Sequence, residues 1–206
     1  MRKLKLQVQM SLDGYIAGLN GEMDWITWNW DDELNNYVRK ITEPVDLILL
    51  GRKLAEGFID AWASRAANPE EAYEDIEGIR KMNETPKIIF SRTLDKSRWP
   101  NAALAKGDLA EEVKKLKQQP GSDIIAYGGA EFVSNLIKYN LIDEYYFFIN
   151  PAALGKGMSI FNNIGSRLNL KLAETNTFSC GIAVLKYNAL SDFNSPGLKS
   201  KDRNLS

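Results

Sequence analysis

The chain has 206 residues, with 26 Lys and Arg against 27 Asp and Glu, a single cysteine and no histidine. The missing imidazole excludes Ser-His-Asp and Cys-His nucleophilic sites and zinc sites with histidine ligands, and the lone Cys180 excludes an internal disulfide and a CxxC motif. The same two absences predict no metal site. A formal net charge of -1 gives no broad electrostatic reason to bind nucleic acid or an anionic membrane, so we expect neither partner.

The N-terminal segment predicts a strand followed by a long loop. Residues 3–10 alternate apolar and polar side chains, which is the pattern of a strand with one buried face. Residues 11–31 then carry several glycines and three tryptophans, and the length of this loop favours a role in covering a ligand. The N-terminus lacks the apolar core of a signal peptide, and no stretch approaches the roughly 18 apolar residues of a membrane helix, which predicts a cytoplasmic protein.

The following segments alternate predicted helices and strands. A helix begins at Asp31 or Asp32 and ends before Pro44, and residues 45–51 form a near-continuous apolar run typical of a strand covered on both faces. The remaining predicted elements are one or two helices over 52–84 joined around Asn68-Pro69, strands at 86–91 and 102–105, a helix at 108–119, a strand at 123–127, a helix at about 130–139, a strand at 143–150, and extended segments at roughly 169–174 and 178–187.

This order of elements predicts the fold class. Strands alternate with helices over the first two thirds of the chain and then follow one another without helices, which predicts an α/β fold whose mixed sheet is mainly parallel with an antiparallel C-terminal edge. We expect one domain over residues 1–190, because a single α/β domain of this length is ordinary. Residues 191–206 are polar, and we expect a tail that is weakly ordered unless a neighbour holds it.

Three predicted strands end in residues suited to phosphate. Gly, Arg and Lys at 51–53 lie between a strand and a helix, where backbone N–H groups and cationic side chains converge on an anion. Ser, Arg and Thr at 91–93 suit a monoester such as the 2′-phosphate of NADP, and two glycines at 128–129 let a diphosphate approach the backbone. Each signal is weak alone, since solvated charges at 51–53 and a capped turn at 91–93 remain open. Adjacent parallel strands would bring all three to one edge of the sheet.

Five segments carry a resemblance to a known family in their order and spacing: SLDGYIA (11–17), NGEMDW (20–25), LLGRK (49–53), YGGAEF (127–132) and LIDEYYFFINPAALGKGMSIF (141–161). Together they resemble the dihydrofolate reductase family, and more closely its bacterial branch related to the riboflavin-biosynthesis pyrimidine reductase domain, over about residues 3–187. The resemblance implies a dihydrofolate reductase-like three-layer α/β/α fold. It also implies an NADPH-dependent oxidoreductase that transfers hydride to a small heterocyclic or ribosylamino-pyrimidine substrate.

The resemblance also implies where the cofactor binds. The strand ends would hold the phosphates of NADPH, and the early loop would fold over the nicotinamide. The cofactor-binding residues so implied are Ile16, Ala17, Gly51, Arg52, Lys53, Ser91, Arg92, Thr93, Gly128, Gly129, Ala130 and Glu131, with Asn20 and Met23 on the covering loop. Three positions depart from the family pattern. Leu54 replaces a frequent Thr of the phosphate cradle, Tyr127 stands where pyrimidine reductases tend to carry Glu, and Asp24 stands where folate reductases carry Pro before Trp.

Hydride transfer by a bound cofactor requires alignment and the exclusion of water rather than an imidazole. The proton can come from water or a carboxylic acid, and Asp13 and Asp24 are the candidate catalytic acids on the covering loop. Asp13 has an alternative role as the cap of a turn. Candidate substrate-binding residues are Ser11, Trp25 and Asp31. The Trp25 ring could stack on a planar heterocycle. Asp31, Asp32 and Glu33 are the three acids that could correspond to the pterin-binding acid of the family, and the sequence leaves the choice among them open.

Two further expectations concern assembly and activity. The strand at 143–150 is rich in Tyr and Phe, so it is either covered by helices or shared with another subunit, and with the resemblance this predicts a homodimer. A second function stays open, namely a non-catalytic nucleotide-binding oligomeric protein that retains the reductase fold, which Leu54 and Tyr127 motivate. A phosphoryl-transfer enzyme is disfavoured, because the sequence contains no GxxxxGK[ST] motif.

Overall fold

The computed structural model describes residues 1–68 and 76–190, which form an eight-stranded sheet with helices on both faces. The elements in chain order are β1 (Leu4–Met10), α1 (Asp32–Thr42), β2 (Val45–Gly51), α2 (Arg52–Ala67), α3 (Ile76–Glu84), β3 (Lys87–Phe90), β4 (Ala102–Ala105), α4 (Leu109–Gln118), β5 (Asp123–Tyr127), α5 (Ala130–Lys138), β6 (Glu144–Ile149), β7 (Leu170–Thr177) and β8 (Ala183–Ala189).

The strand order across the sheet is β4-β3-β2-β5-β1-β6-β8-β7. The first six strands of this order run parallel to their neighbours, whereas β8 pairs antiparallel with both β6 and β7. The prediction of a mainly parallel sheet with an antiparallel C-terminal edge is therefore confirmed. Parallel connections place the carboxyl ends of β2, β3, β5 and β1 at one edge, and this edge positions the site described below.

The sheet separates two cores, because successive side chains of a strand point to opposite faces. On one face, Leu6 of β1 packs with Val113 of α4 and Leu136 of α5. On the other face, Ile125 of β5 packs in a cluster that includes Leu34 of α1 and residues of α2 and α3. The helices on both faces give the three-layer α/β/α arrangement that the resemblance implied. None of the helices in the described ranges has the length and apolar character needed to cross a bilayer.

The aromatic strand β6 lies inside the sheet between β1 and β8. Tyr145 and Phe148 are 1% and 0% exposed, so the chain itself covers both faces of this strand. The structure thus takes the first of the two predicted alternatives for this segment, which is cover by the chain's own elements.

The boundaries differ most from prediction at the C-terminal hairpin. β8 begins at Ala183 rather than at 178, because residues 178–182 form a turn in which the Phe178 N–H donates to the Ile182 carbonyl at 3.0 Å. Gly181 adopts a φ of 92° in this turn, a conformation that glycine allows and a strand does not. The predicted tail over 191–206 and the interhelical joint at Pro69 lie outside the described residues.

Candidate functional site

The carboxyl ends of β3, β2 and β5 lie level at one edge of the sheet. Gly51 of β2 pairs with Phe90 of β3, and Leu50 pairs with Tyr127 of β5. The three predicted phosphate-binding segments therefore begin at the same level on three adjacent strands. The outer two of these strands lie about 10 Å apart at the usual interstrand spacing. The structure brings together side chains and backbone groups that the sequence places up to 80 residues apart.

Helices α2 and α5 begin at this edge with open N-termini. Their N-cap residues are Gly51 and Gly129, and neither start receives a hydrogen bond from a capping side chain. Helices α1 and α4 instead begin after Asp31 and Asp108, whose carboxylates accept from backbone N–H groups of the first turn. The open starts leave N–H donors and the positive end of each helix dipole free for an anion.

Two cationic side chains stand on the first turn of α2. Arg52 is half-buried, and its Nη1 lies 3.2 Å from Glu56 Oε1 in an i,i+4 ion pair. Lys53 is exposed. Because a solvent-facing pair of this kind contributes little free energy, the Glu56 contact does not hold Arg52 against a competing phosphate.

The end of β3 turns Ser91 inward and Arg92 outward. Ser91 is buried, and its Oγ accepts hydrogen bonds from the backbone N–H groups of Thr93 and Leu94 at 3.2 and 3.0 Å. This geometry matches the capped-turn alternative for Ser91. Arg92 and Thr93 are exposed, and no side-chain hydrogen bond or ion pair joins either of them to another residue of the described ranges. The Arg92 guanidinium is therefore available to a phosphate.

The glycines of the edge have two different roles. A Cβ on Gly51 or Gly128 would fall 2.7 or 2.4 Å from side-chain atoms of α5, so both glycines let this helix pack closely on the strand ends. A Cβ on Gly129 would meet no atom within 4 Å. Gly129 and the first-turn residues Ala130 and Glu131 thus present open backbone, which a diphosphate can approach.

Asp13 holds two loops together at the same end of the sheet. Its carboxylate accepts from the Ser11 hydroxyl at 2.7 Å and from the backbone N–H groups of Leu154 and Gly155 at 2.6 to 3.1 Å. The Ser11 hydroxyl and these backbone donors hold the pKa of Asp13 below its usual range. The geometry therefore favours the turn-cap alternative for Asp13. Ser11, which is 1% exposed, serves the same turn.

Ile16 and Ala17 are fixed to the segment that follows β6. The Ile16 N–H donates to the Met158 carbonyl at 2.9 Å, and the Met158 N–H donates to the Ala17 carbonyl at 2.8 Å. A Cβ on Gly157 would lie 2.3 Å from the Ala17 oxygen, so glycine permits this close approach. The two predicted cofactor-facing residues are therefore buried in a paired unit made of residues 11–17 and 151–158.

Asp24 and Trp25 lie farther along the covering loop. Asp24 is exposed, and its side chain has no hydrogen bond with any described residue. Trp25 is half-buried, and its Nε1 donates to the Glu22 carbonyl at 3.2 Å. The hydrogen bond of this predicted stacking residue therefore stays within the loop.

Asp31 joins α1 to the β7–β8 turn. Its Oδ1 accepts from the Leu34 N–H at 2.8 Å, and its Oδ2 accepts from the Ser179 hydroxyl at 2.7 Å and the Cys180 N–H at 3.2 Å. These donors hold the pKa of Asp31 below its usual range, and the Leu34 N–H has the largest effect among them. Both oxygens accept hydrogen bonds within the fold, and the substrate-binding role of Asp31 stays a prediction.

Sequence reasoning missed a buried polar group centred on Asn150. Asn150 is 0% exposed; its Nδ2 donates to Gln9 Oε1 at 2.8 Å and to the Phe148 carbonyl at 3.1 Å, and its Oδ1 accepts from the Thr27 N–H at 2.9 Å. It therefore links β1, β6 and the covering loop. The available signal was one amide side chain between an apolar strand and Pro151.

Comparisons by sequence match almost the whole described chain. The family model described as the RibD C-terminal domain matches residues 2–184. The protein YyaP of Bacillus subtilis (strain 168), itself described as uncharacterized, is 35% identical over 187 residues, which is 90% of this chain and 94% of that protein.

Solved structures share the fold at low sequence identity. A diaminohydroxyphosphoribosylaminopyrimidine deaminase/5-amino-6-(5-phosphoribosylamino)uracil reductase from Thermotoga maritima has a TM-score of 0.63 at 18% identity, covering 92% of this chain and 57% of that chain. Dihydrofolate reductase from Enterococcus faecalis, in complex with NADP(H) and RAB-propyl, has a TM-score of 0.59 at 15% identity and covers 91% and 96%. The predicted dihydrofolate reductase-like fold is confirmed.

Proposed function

The chain belongs to the RibD C-terminal domain family, and from that premise we propose that it is an NADPH-dependent reductase acting on a small nitrogen heterocycle of the ribosylamino-pyrimidine class. One observation carries the proposal: the two open helix starts at Gly51 and Gly129 lie on the same sheet edge as Arg92, whose guanidinium has no partner among residues 1–68 and 76–190. Two anion sites beside a guanidinium match the pyrophosphate and the extra 2′-phosphate of this dinucleotide.

The residues at the edge fit the cofactor in distinct roles. The backbone N–H groups at the starts of α2 and α5 would bind the pyrophosphate, and Gly129 leaves the space for it. Arg92, with Thr93, would bind the 2′-phosphate, and Arg52 and Lys53 would add positive charge. When bound, NADPH supplies the hydride.

The chain's own side chains position groups and handle the proton. Asp13 keeps its charge and fixes residues 154–155 against the start of the covering loop, so we assign it a positioning role. The proton then comes from water or from Asp24, whose carboxylate is free of hydrogen bonds within the described residues.

Support for a heterocyclic substrate comes from the face of the sheet beneath the edge. Tyr127 and Phe58 place their ring centroids 5.0 Å apart at the end of β5, which supplies aromatic surface for a planar ring. The named uracil reductase activity of the Thermotoga structure is that protein's own, and it suggests the pyrimidine class for this chain.

The cofactor proposal is tested by thermal stabilisation with NADPH and with NADH. We expect NADPH to raise the Tm more than NADH does at equal concentration. At one hundred times its Kd, bound NADPH stabilises the folded chain by about 2.7 kcal/mol. Arg92→Ala should remove this preference, whereas Arg80→Ala, on the exposed surface of α3, should keep it. No Tm shift with millimolar NADPH in folded wild-type protein would contradict the proposal.

The non-catalytic alternative predicts the same cofactor binding without turnover. Leu54 and Tyr127, which depart from the family pattern, motivate this alternative. Enzyme-dependent NADPH oxidation with any substrate from a panel of pyrimidines, pterins and simple carbonyl compounds would exclude this alternative. We also propose a homodimer, for which the family resemblance is the remaining support because the chain itself covers β6. Sedimentation at micromolar concentration tests it.

A further inference from the structure

A cavity of about 250 Å³ lies at the amino edge of the sheet, at the opposite end of the strands from Gly51 and Gly129. It is bounded by α2, the end of α3 and the segments that lead into β3 and β4. The lining is mostly apolar and includes the rings of Trp62 and Trp99. Within the described ranges it contains none of the residues assigned above to the cofactor or the substrate.

Lys87, the first residue of β3, is a buried cation in the lining of this cavity. It is 3% exposed, and its Nζ donates to the Thr85 carbonyl at 2.8 Å and to the Asn83 carbonyl at 3.2 Å. An ammonium group has three N–H donors, so one donor has no acceptor, and no carboxylate pairs with it, in the part of the chain that the structure describes. Buried lysines are rare unless they are paired. Burial lowers the pKa of Lys87 to about 8, which is the effect expected for a charge without a counter-ion.

The two acids that line the cavity already have partners. Asp60 Oδ1 accepts from Trp99 Nε1 at 3.0 Å, and Asp60 Oδ2 accepts from Arg98 Nη2 at 2.9 Å. The Glu84 side chain is 71% exposed and lies 3.9 Å from Arg80 Nε. Each acid therefore has an arginine beside it, whereas the buried ammonium has no anionic partner among the described residues.

The size and walls of the cavity suit one aromatic ring. Trp99 is 9% exposed, and its ring is fixed by the Asp60 hydrogen bond and by the Arg98 guanidinium, 4.6 Å from the ring centroid. Trp62 has a similar contact with Arg65 at 5.1 Å. An apolar cavity of roughly 150 Å³ is enough to hold benzene, so this one has room for a single ring with a small substituent.

A structural role accounts for part of the Lys87 geometry. The Asn83 and Thr85 carbonyls lie at the end of α3, where a cation satisfies free carbonyl groups and interacts favourably with the helix dipole. This capping role uses two of the three N–H donors. It accounts neither for the remaining donor nor for the apolar cavity beside it, and an anionic ligand accounts for both.

We propose that this cavity is a binding site for a small planar aromatic carboxylate, whose carboxylate pairs with the Lys87 ammonium and whose ring packs against Trp62 and Trp99. Charge-assisted hydrogen bonding supplies the specificity for an anion, and contact with the indole rings supplies the specificity for a planar ring. The site is separate from the cofactor edge, and the assignment is independent of the proposed reductase function.

The test uses the full chain and two probes of nearly equal shape, charged benzoate and neutral benzamide. NMR titration of the isotope-labelled protein follows the indole N–H signals of Trp62 and Trp99, which Trp62→Phe and Trp99→Phe assign. We expect both signals to move, and we expect benzoate to bind at least about tenfold more tightly than benzamide, which corresponds to about 1.4 kcal/mol. Lys87→Met removes the charge and keeps most of the side-chain volume, so it should reduce this ratio to within about twofold.

Lys81→Met is the matched control for the charge. Lys81 also donates to a backbone carbonyl, that of Glu43 at 3.2 Å, but it is not part of the cavity lining, so its variant should keep the wild-type ratio. Ala63→Phe tests the cavity itself with Lys87 intact. Ala63 is exposed on α2 and lines the cavity, so the larger side chain should weaken benzoate binding at least about tenfold without disturbing the core, whereas Ala61→Phe, outside the lining, should not.

Three results would overturn the proposal. The first is that the two indole signals stay in place at about 10 mM benzoate, ten times a Kd of about 1 mM. The second is equal binding of benzoate and benzamide by the wild type. The third is a Lys87→Met protein with a lower Tm and an unchanged ratio, which is the result for a lysine that only caps α3. If Lys87→Met does not fold, Ala63→Phe decides, and unchanged benzoate binding by that variant contradicts the site.

Discussion

Helix starts at the carboxyl edge of this sheet are of two kinds. The starts of α1 and α4 are closed by Asp31 and Asp108, which satisfy backbone N–H groups within the chain. The starts of α2 and α5 have glycine caps and no side-chain acceptor. A closed start contributes to stability, whereas an open one leaves its donors for an anion that the chain does not supply. The difference distinguishes helix ends that build the fold from those that can bind a ligand.

The largest expected effect comes from closing an open start. Gly129→Asp should cap α5 as Asp108 caps α4, because the Gly129 backbone has a φ of -89° and its Cβ position is clear of other atoms. We expect NADPH affinity to fall about a hundredfold, since charge-assisted hydrogen bonds contribute roughly 1.5 to 3 kcal/mol each and a carboxylate repels the phosphate.

Calorimetric titration of NADPH measures this effect, with Gly129→Asn as the uncharged control. Asparagine caps a helix about as well as aspartate, so this variant should lose only about tenfold in affinity while matching the Tm of Gly129→Asp. Unchanged NADPH affinity in Gly129→Asp would show that the start of α5 is not a phosphate site.

The converse change opens a closed start. Asp108→Ala removes a carboxylate that accepts from the Ala110 and Glu111 N–H groups, and it should lower the free energy of unfolding by about 1 kcal/mol. Urea denaturation measures this loss, and NADPH affinity should be unchanged. Weaker cofactor binding by this variant would contradict the assignment of closed helix starts to stability and of open starts to ligand binding.

The smallest expected effect concerns pH and Asp31. Its folded pKa is lowered, so its contribution to stability is fully present above its unfolded pKa of about 3.9 and is lost as pH falls through the folded pKa. Thermal melts of wild type and Asp31→Asn from pH 7 to pH 2 should show the wild type more stable at neutral pH, with the gap closing below about pH 4. A gap of constant size would mean that the charge of Asp31 does not stabilise α1.

The edge of the sheet could be predicted from sequence, whereas several roles of single side chains could not. Strand periodicity and the parallel order are enough to place Gly51 and Gly128 together, because they depend on local patterns and on general rules of connection. The role of Asp13 depends on donors at Leu154 and Gly155, about 140 residues away, and that of Asp31 on Ser179 and Cys180. No local pattern indicates which distant N–H groups will fill a carboxylate.

The burial of the Gln7 side chain also could not be predicted from the local sequence. Its alternation within β1 marks it as polar and outside the Leu6 core, which would suggest a solvent-facing side chain. Helices on the second face bury it, and its Oε1 meets no hydrogen-bond donor among the described residues. This cover becomes evident only when α1, α2 and α3 are placed.

The hydrogen bonds around Asn150 and Asp13 divide the covering loop into three parts. Residues 11–17 are pinned by Asp13 and Met158, and Thr27 is pinned by Asn150. Between these two anchored parts, the hydrogen bonds of residues 18–26 within the described chain stay among themselves. The stretch between the two anchored parts is therefore nine residues long and carries Asp24 and Trp25, and no hydrogen bond joins it to the rest of the described chain.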